Sequence, residues 1–390
     1  MTVEFQRIKL IEVWKLINGR AYSKPELLAE GKYPVLRVGN FFTNDHWYYS
    51  DLELDEEKYC NKGDLLYAWS ASFGPRIWHA DKVIYHYHIW KVVPDLTLID
   101  KKFLFYFFEW DADQIKKDQG AGTTMVHVSK GSMENREINL PRLNDQARIV
   151  TLLDEAFADI ATAKANAEKN LQNARDLLES HLQAAFTQQA DWELKAFGEL
   201  AEFRNGINFN KSSKGNEIKI VGVRDFQKNF WAPLDDLETI IPDGEIPATD
   251  LIESGDLLFV RSNGNPELIG RTLLIGDLNE RITHSGFTIK ARLHHTELSP
   301  IYLCHYLKSG LLRREMIEGG NGANIKSLNQ GTLSRLKIAF PDKSKQLLIV
   351  EHLETVQAEI AELESIYRQK LTALDDLKKS LLHQAFSGQL

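Results

Sequence analysis

Residues 138–189 of this chain recur at 338–389 without a gap, and 17 of the 52 paired positions are identical. Among them are Pro141 and Pro341, Gln146 and Gln346, Leu153 and Leu353, and Phe186 and Phe386. A third identical over that length marks two copies of one structural unit. Weaker echoes reach upstream. Gly120-Ala121-Gly122 matches Gly320-Asn321-Gly322 at the same offset of 200. The Gly-Asp-Leu-Leu run at Gly63 resembles that at Gly255, at an offset of 192, and Asn18-Gly19 resembles Asn205-Gly206 at 187. A drifting offset ahead of a fixed one predicts two domains of one fold with different loops, each followed by a segment held to one length.

That segment is a long helix. Apolar residues fall at Ile149, Leu153, Ala156, Ile160, Ala163, Ala167 and Leu171, and again at Ile349, Leu353, Val356, Ile360, Leu363, Tyr367 and Leu371. Spacings of four and three alternate, with an extra four before Leu171 and Leu371, which is a heptad seam with a stutter. Some 40 residues at ~1.5 Å each give a rod of roughly 60 Å. Gly388, just past Phe386, reads as a helix stop. The stripe is narrow and flanked by Lys, Glu and Gln, which favours two rods packed on each other over two core helices of a larger bundle. Ile149, Leu153, Ile160 and Leu171 would face Ile349, Leu353, Ile360 and Leu371. Antiparallel pairing is the better fit to a repeat, because it creates a pseudo-twofold axis.

The segments ahead of the rods mix strand-like apolar runs (32–38, 65–69, 82–93, 218–223) with buried helical patterns at 103–108 and 301–312. The sequence therefore predicts an α+β chain. Two globular mixed domains (1–142 and 191–342) alternate with two long helices (143–190 and 343–390) that pair as an antiparallel coiled coil.

The net charge of −8 argues against nucleic acid only at face value, because binding needs a local basic surface. Both globular segments are near neutral: 19 Lys and Arg against 20 Asp and Glu in 1–142, and 18 against 21 in 191–342. The two cysteines, Cys60 and Cys304, exclude a disulfide framework and suggest a reduced cytoplasmic setting. No stretch reads as a signal peptide or a membrane span.

Catalytic signatures are missing. There is no phosphate-binding loop, no Pro-Pro-aromatic methyltransferase pocket and no Gly-rich cofactor turn. His86-Tyr87-His88 and His294-His295 lack a Cys or carboxylate at metal-site spacing, so they read as surface or strand histidines. What remains is loop chemistry suited to DNA. Arg20, Tyr22 and Lys24 follow Asn18-Gly19. Trp69, Ser70, Ser72 and Arg76 follow the first Gly-Asp-Leu-Leu strand. Arg261, Ser262, Asn263, Asn265 and Arg271 follow the second. Thr123, Thr124, His127, Ser129 and Lys130 follow one Gly-x-Gly, and Asn324, Lys326 and Ser327 follow the other. Arg and Lys can bridge guanine, Asn can pair with adenine, and hydroxyls serve phosphates. The same Ser, Asn and Gly residues also suit ordinary turns. The loops after the paired strands stand out, because they hold equivalent places with different content.

The order domain, helix, domain, helix resembles the DNA-specificity subunits of type I restriction–modification enzymes. Ile338 through Gln346, the rod, and 377–390 resemble that family's C-terminal conserved region, and Ile138 through Phe186 resembles its central one. Gln188 stands where the second copy has Gly388, as suits a chain that continues. The resemblance implies two target-recognition domains, each reading half of a bipartite double-stranded DNA site. The rods would space them and dock two modification (methyltransferase) subunits, which motor-nuclease subunits would join. It implies a non-catalytic chain without cofactors, with S-adenosylmethionine, ATP and Mg belonging to the partner subunits. The rival readings are a coiled-coil adaptor that binds only proteins, and an enzyme with an unfamiliar site.

Overall fold

The computed structural model describes residues 5–43, 45–70, 73–118, 128–187, 189–210, 213–227, 229–318 and 327–387. The chain divides into two compact units, Met1–Glu168 with Arg368–Leu390, and Lys169–Tyr367. Each unit holds a globular domain, the start of one long helix and the end of the other.

The first domain carries two four-stranded sheets. One is antiparallel in the order Trp14–Asn18, Ile89–Pro94, Leu65–Ala68, Gly74–Ile77. The other runs Tyr48–Ser50, Tyr33–Leu36, Val83–Tyr85, Tyr59–Cys60, with its two central strands parallel. A two-stranded ribbon, Phe5–Lys9 with Glu137–Pro141, leads to the long helix. The helix Lys101–Asp118 buries Phe103, Leu104, Phe107 and Phe108 in the same core as the first sheet.

The second domain repeats this plan. Its antiparallel sheet is Ala201–Asn205, Thr288–Leu293, Leu257–Val260, Thr272–Leu274. Its mixed sheet is Glu238–Ile240, Ile218–Val221, Ile282–His284, and its ribbon is Glu193–Ala196 with Lys337–Phe340. The run 82–93, which reads as one strand in sequence, is two strands in different sheets. Residues 86–88 form the turn between them. The run 301–312 is also divided. Pro300–Lys308 ends where Ser309 Oγ donates to Tyr306 O at 2.6 Å, and Gly310–Glu318 begins anew.

The long helices are Leu143–Ala185 and Lys343–Ser387. Each starts with a fully buried glutamine from the repeat. Gln146 Nε2 donates to Pro141 O (2.8 Å) and Leu98 O (2.9 Å), and its Oε1 accepts from Asp100 N (2.7 Å). Gln346 makes the same set with Pro341 O (2.7 Å), Glu297 O (2.8 Å) and Ser299 N (2.8 Å). Ribbon, domain helix and long helix are thus locked by one amide, whose single side chain offers both donors and an acceptor.

The helices run antiparallel within each unit. In the first, Ile149 and Leu153 share a core with Leu382, Ala385 and Phe386, and further along Lys164 pairs with Asp375 at 2.7 Å. Phe386 packs on Phe103, Phe107 and Trp110, with ring centroids at 5.1, 5.7 and 5.9 Å. In the second, Leu182 and Phe186 share a core with Val350 and Leu353, and Arg175 pairs with Glu364 at 3.0 Å. Phe186 packs on Tyr302 and Tyr306 at 5.5 and 4.8 Å.

Ile149, Leu153, Ile160, Leu353 and Ile360 of the sequence seam are buried, while Leu171, Ile349 and Leu371 are half-buried. Ile149, Leu153 and Leu353 pack into domain cores rather than only onto the facing helix. A cluster made by helices alone joins Ala174 and Leu178 to Val356 and Ile360. No helix among the described residues is long and apolar enough to cross a membrane.

Replacing Gln146 or Gln346 with Leu removes the partners of one N–H and two carbonyls at a buried site. At roughly 1–3 kcal/mol for each group left unsatisfied, partly relieved by water, the expected loss is about 2–4 kcal/mol. Urea denaturation should show it as a lower midpoint.

Candidate nucleic-acid interface

In each domain the chain passes from the mixed sheet to the antiparallel sheet through a two-residue turn, and three other segments close on that turn. In the first domain Gly19 N donates to Ile89 O (3.2 Å), Arg20 N to Tyr85 O (3.0 Å) and Tyr87 N to Arg20 O (3.0 Å). Trp69 N donates to His88 O (3.0 Å), and Val128 N to Trp69 O (3.1 Å). The second domain repeats every bond. Gly206 N donates to Thr288 O (3.2 Å), Ile207 N to His284 O (2.9 Å) and Gly286 N to Ile207 O (2.7 Å). Arg261 N donates to Phe287 O (2.8 Å), and Leu328 N to Arg261 O (2.7 Å). The Asn-Gly loop, the exit of the Gly-Asp-Leu-Leu strand and the segment returning after Gly-x-Gly therefore meet at one corner per domain.

The repeated glycines make this corner possible. A Cβ on Gly19 would lie 2.3 Å from His86 O, and one on Gly206 would lie 2.2 Å from His284 O. Only glycine lets the loop approach the turn that closely. Gly63 and Gly255 open the paired strands at φ of +90° and +86°, a conformation other residues rarely adopt.

The corner gathers most of the described candidates from the sequence. Arg20 is half-buried, pairs with Glu26 at 2.6 Å and lies 5.2 Å from the Tyr22 ring. That bond holds the Glu26 carboxyl down to about 2. Tyr22 is half-buried and Lys24 exposed. Trp69 donates from Nε1 to Tyr87 O (2.8 Å), stacks on Trp90 at 5.7 Å and meets His88 edge-on at 4.9 Å. Ser70 is buried. Lys130 is exposed at its backbone turn and donates to Leu16 O at 3.2 Å.

Arg261 is half-buried, with Nη1 3.4 Å from Gly286 O, and Ser262 lies beside it. Asn263 and Asn265 are exposed. Their side chains accept from Asn265 N (2.9 Å) and Glu267 N (3.0 Å), so both shape the turn they sit in. Two candidates lie away from the corner. Arg76 covers the Phe41 ring at 5.5 Å, and Arg271 donates to Gln227 O at 2.5 Å. Ser72, Thr123, Thr124, His127, Asn324 and Lys326 lie outside the described residues.

Several corner residues were not singled out from sequence. Tyr87 and Phe287 project from the turns, 39% and 58% exposed, and aromatic rings in that position can stack on bases. A polar cavity beside the first turn is lined by Arg37, Asn40, His46, Tyr48, His86 and His88. Burial, then His88 and Arg37, push the His86 imidazole down to about 4, so near pH 7 it is neutral and serves as a hydrogen-bonding group rather than a cation. Arg37 is exposed and lies 5.3 Å from the Tyr48 ring. Together these groups supply donors, acceptors, cations and ring faces on a backbone fixed by main-chain bonds.

The family described as type I restriction modification DNA specificity domain matches residues 2–171 and 189–373. The specificity subunit of the type I restriction enzyme EcoBI of Escherichia coli is 23% identical over 408 residues, which cover 98% of this chain and 86% of that one. That of the type I restriction enzyme MjaVIII of Methanocaldococcus jannaschii is 21% identical over 412 residues, covering 99% and 93%. Among solved structures, a chain from work on complex assembly and conformational transition of the type I R-M system superposes with a TM-score of 0.78, at 16% identity and 99% and 98% coverage. The HsdS subunit from Thermoanaerobacter tengcongensis gives 0.57 at 16% identity, covering 99% and 97%. Two family matches fall on the two halves of the repeat, and the chain belongs to the type I restriction–modification DNA specificity domain family.

Proposed function

We propose that this chain is the sequence-specific DNA-binding subunit of a type I restriction–modification system. Each globular domain reads one half of a bipartite site through the corner described above. The observation that carries this reading is the pairing of an identical backbone network with different side chains: Trp69 against Arg261, His88 against Phe287, Arg20 against Ile207. A repeated scaffold with changed contacts suits two half-sites of different sequence read by one geometry.

The long helices set the spacing between the half-sites and give two modification subunits a surface to dock on. The chain itself is non-catalytic. S-adenosylmethionine, ATP and Mg act in the modification and motor-nuclease subunits that join it. A cytoplasmic location follows from that role and from two cysteines that are both free thiols.

Deleting the gene and mapping methylated adenine across the genome tests the reading. Loss of one split motif, two short specific halves around a fixed run of unspecified bases, is the expected result; an unchanged map counts against it. Exchanging residues 1–142 for the same region of a relative should change one half of the motif and keep the other. The turn tips give a finer check. Tyr87→Ala and Phe287→Ala remove exposed rings, so melting temperatures should stay within a few degrees of wild type. Fluorescence anisotropy should show duplex binding weakened roughly 5- to 100-fold for each, from about 1–3 kcal/mol per lost base stack.

A further inference from the structure

Next to the second domain's loop 261–271 lies a groove with three cations and no paired carboxylate. Arg271 follows the short helix Pro266–Leu268, Lys308 ends Pro300–Lys308, and Arg313 belongs to Gly310–Glu318. All three are half-buried and line one groove with Phe226, Gln227 and Thr272. Their hydrogen bonds go to main-chain carbonyls: Arg271 to Gln227 O at 2.5 Å, Lys308 to Asn229 O at 2.9 Å, and Arg313 to Glu267 O. Among the described residues no carboxylate forms an ion pair with any of them, and Arg313 Nε is buried without a partner.

Like charges gathered in a partly desolvated groove oppose one another. Burial lowers the Lys308 pKa, with Arg271 and Arg313 adding to the effect. Burial and Arg271 lower that of Arg313, against a smaller opposing pull from Glu267. An anion seated among the three would relieve both burdens.

The fold does not require this cluster. In the first domain the helix Lys101–Asp118 starts at the corresponding place, since Asp100 N and Ser299 N bind the two equivalent glutamines. Its ninth residue, where the second domain has Lys308, is Glu109, and Glu109 accepts from Lys378 at 3.2 Å. The break at Ser309 is also peculiar to the second domain, and it starts the helix that carries Arg313. That helix bears on the recognition loop, because a Cβ on Gly270 would lie 3.7 Å from Met316.

We propose that Arg271, Lys308 and Arg313 bind one backbone phosphate of duplex DNA, beside the half-site read by the second domain. The assignment rests on the functional reading above. It adds a contact that supplies affinity and register without reading bases.

The test uses the full chain and a random-sequence duplex, with anisotropy measured across a series of salt concentrations. For Lys308→Gln with Arg313→Gln, the slope of log affinity against log salt should fall by about one. Affinity at the lowest salt should drop roughly tenfold, the same contact read at one concentration. The genomic methylation motif should keep its sequence. Arg271→Gln should give a smaller drop in the same direction. Neutralising mutually repelling cations should leave the melting temperature unchanged or higher, and a marked fall would overturn the proposal by making the cluster structural. An unchanged salt slope in a variant whose wild type binds would overturn it too. So would a melting temperature raised by inorganic phosphate in the wild type alone, with DNA binding unaffected, which would identify a site for the free ion. A wild-type chain that bound no duplex would instead sink the functional reading, and this inference with it.

Discussion

One buried amide governs the junction between domain and helix in each half of this protein. Gln146 and Gln346 sit fully buried at the first turn of a long helix, where helix-start groups and loop carbonyls need partners. Each ties the last residue of the ribbon, the loop before the domain helix and the long helix into one joint. Leucine would fill the space but bond nothing, and glutamate would bring acceptors where two donors are needed. With that joint fixed, the direction in which the long helix leaves its domain is fixed as well. The far end of the other helix then finds a prepared slot, into which Phe386 or Phe186 inserts.

The recognition corner follows a complementary logic. Its loops are held by main-chain hydrogen bonds and by glycines that permit close approach, so the side chains at the surface carry little of the structural load. Trp69 and Arg261 share one backbone role yet have nothing in common chemically. A corner built this way can change what it contacts without having to refold, which fits domains that have diverged in content while keeping their topology.

The helices and their repeat were legible in sequence because a packed helix of fixed length tolerates no insertions. The identities at Gln146, Phe186 and their partners were visible too, although their reasons were not, since those reasons are long-range hydrogen bonds and ring contacts. The seam was read as helix against helix. At Ile149, Leu153 and Leu353 it is also domain core, a distinction that periodicity cannot make. Tyr87 and Phe287 went unnoticed because they hold successive, not matching, places in the two turns. Gly286 stands where the first domain has Tyr87, and only the bonds from Arg20 and Ile207 reveal that alignment. Lys308 and Arg313 lie on what reads as a continuing helix, and the break at Ser309 that separates them is a local bond with no strong sequence signature.

The slot for Phe386 bears on how the molecule is made. The first domain lies almost wholly within the first 142 residues, yet its core contains Leu382, Ala385 and Phe386. A ribosome will have emitted the entire second domain before those side chains exist. Throughout that interval Phe103, Phe107 and Trp110 lack their cover, and the nascent first domain presents an oily cleft to whatever is nearby. Synthesis of this protein therefore ends with the closing of the part that was begun first.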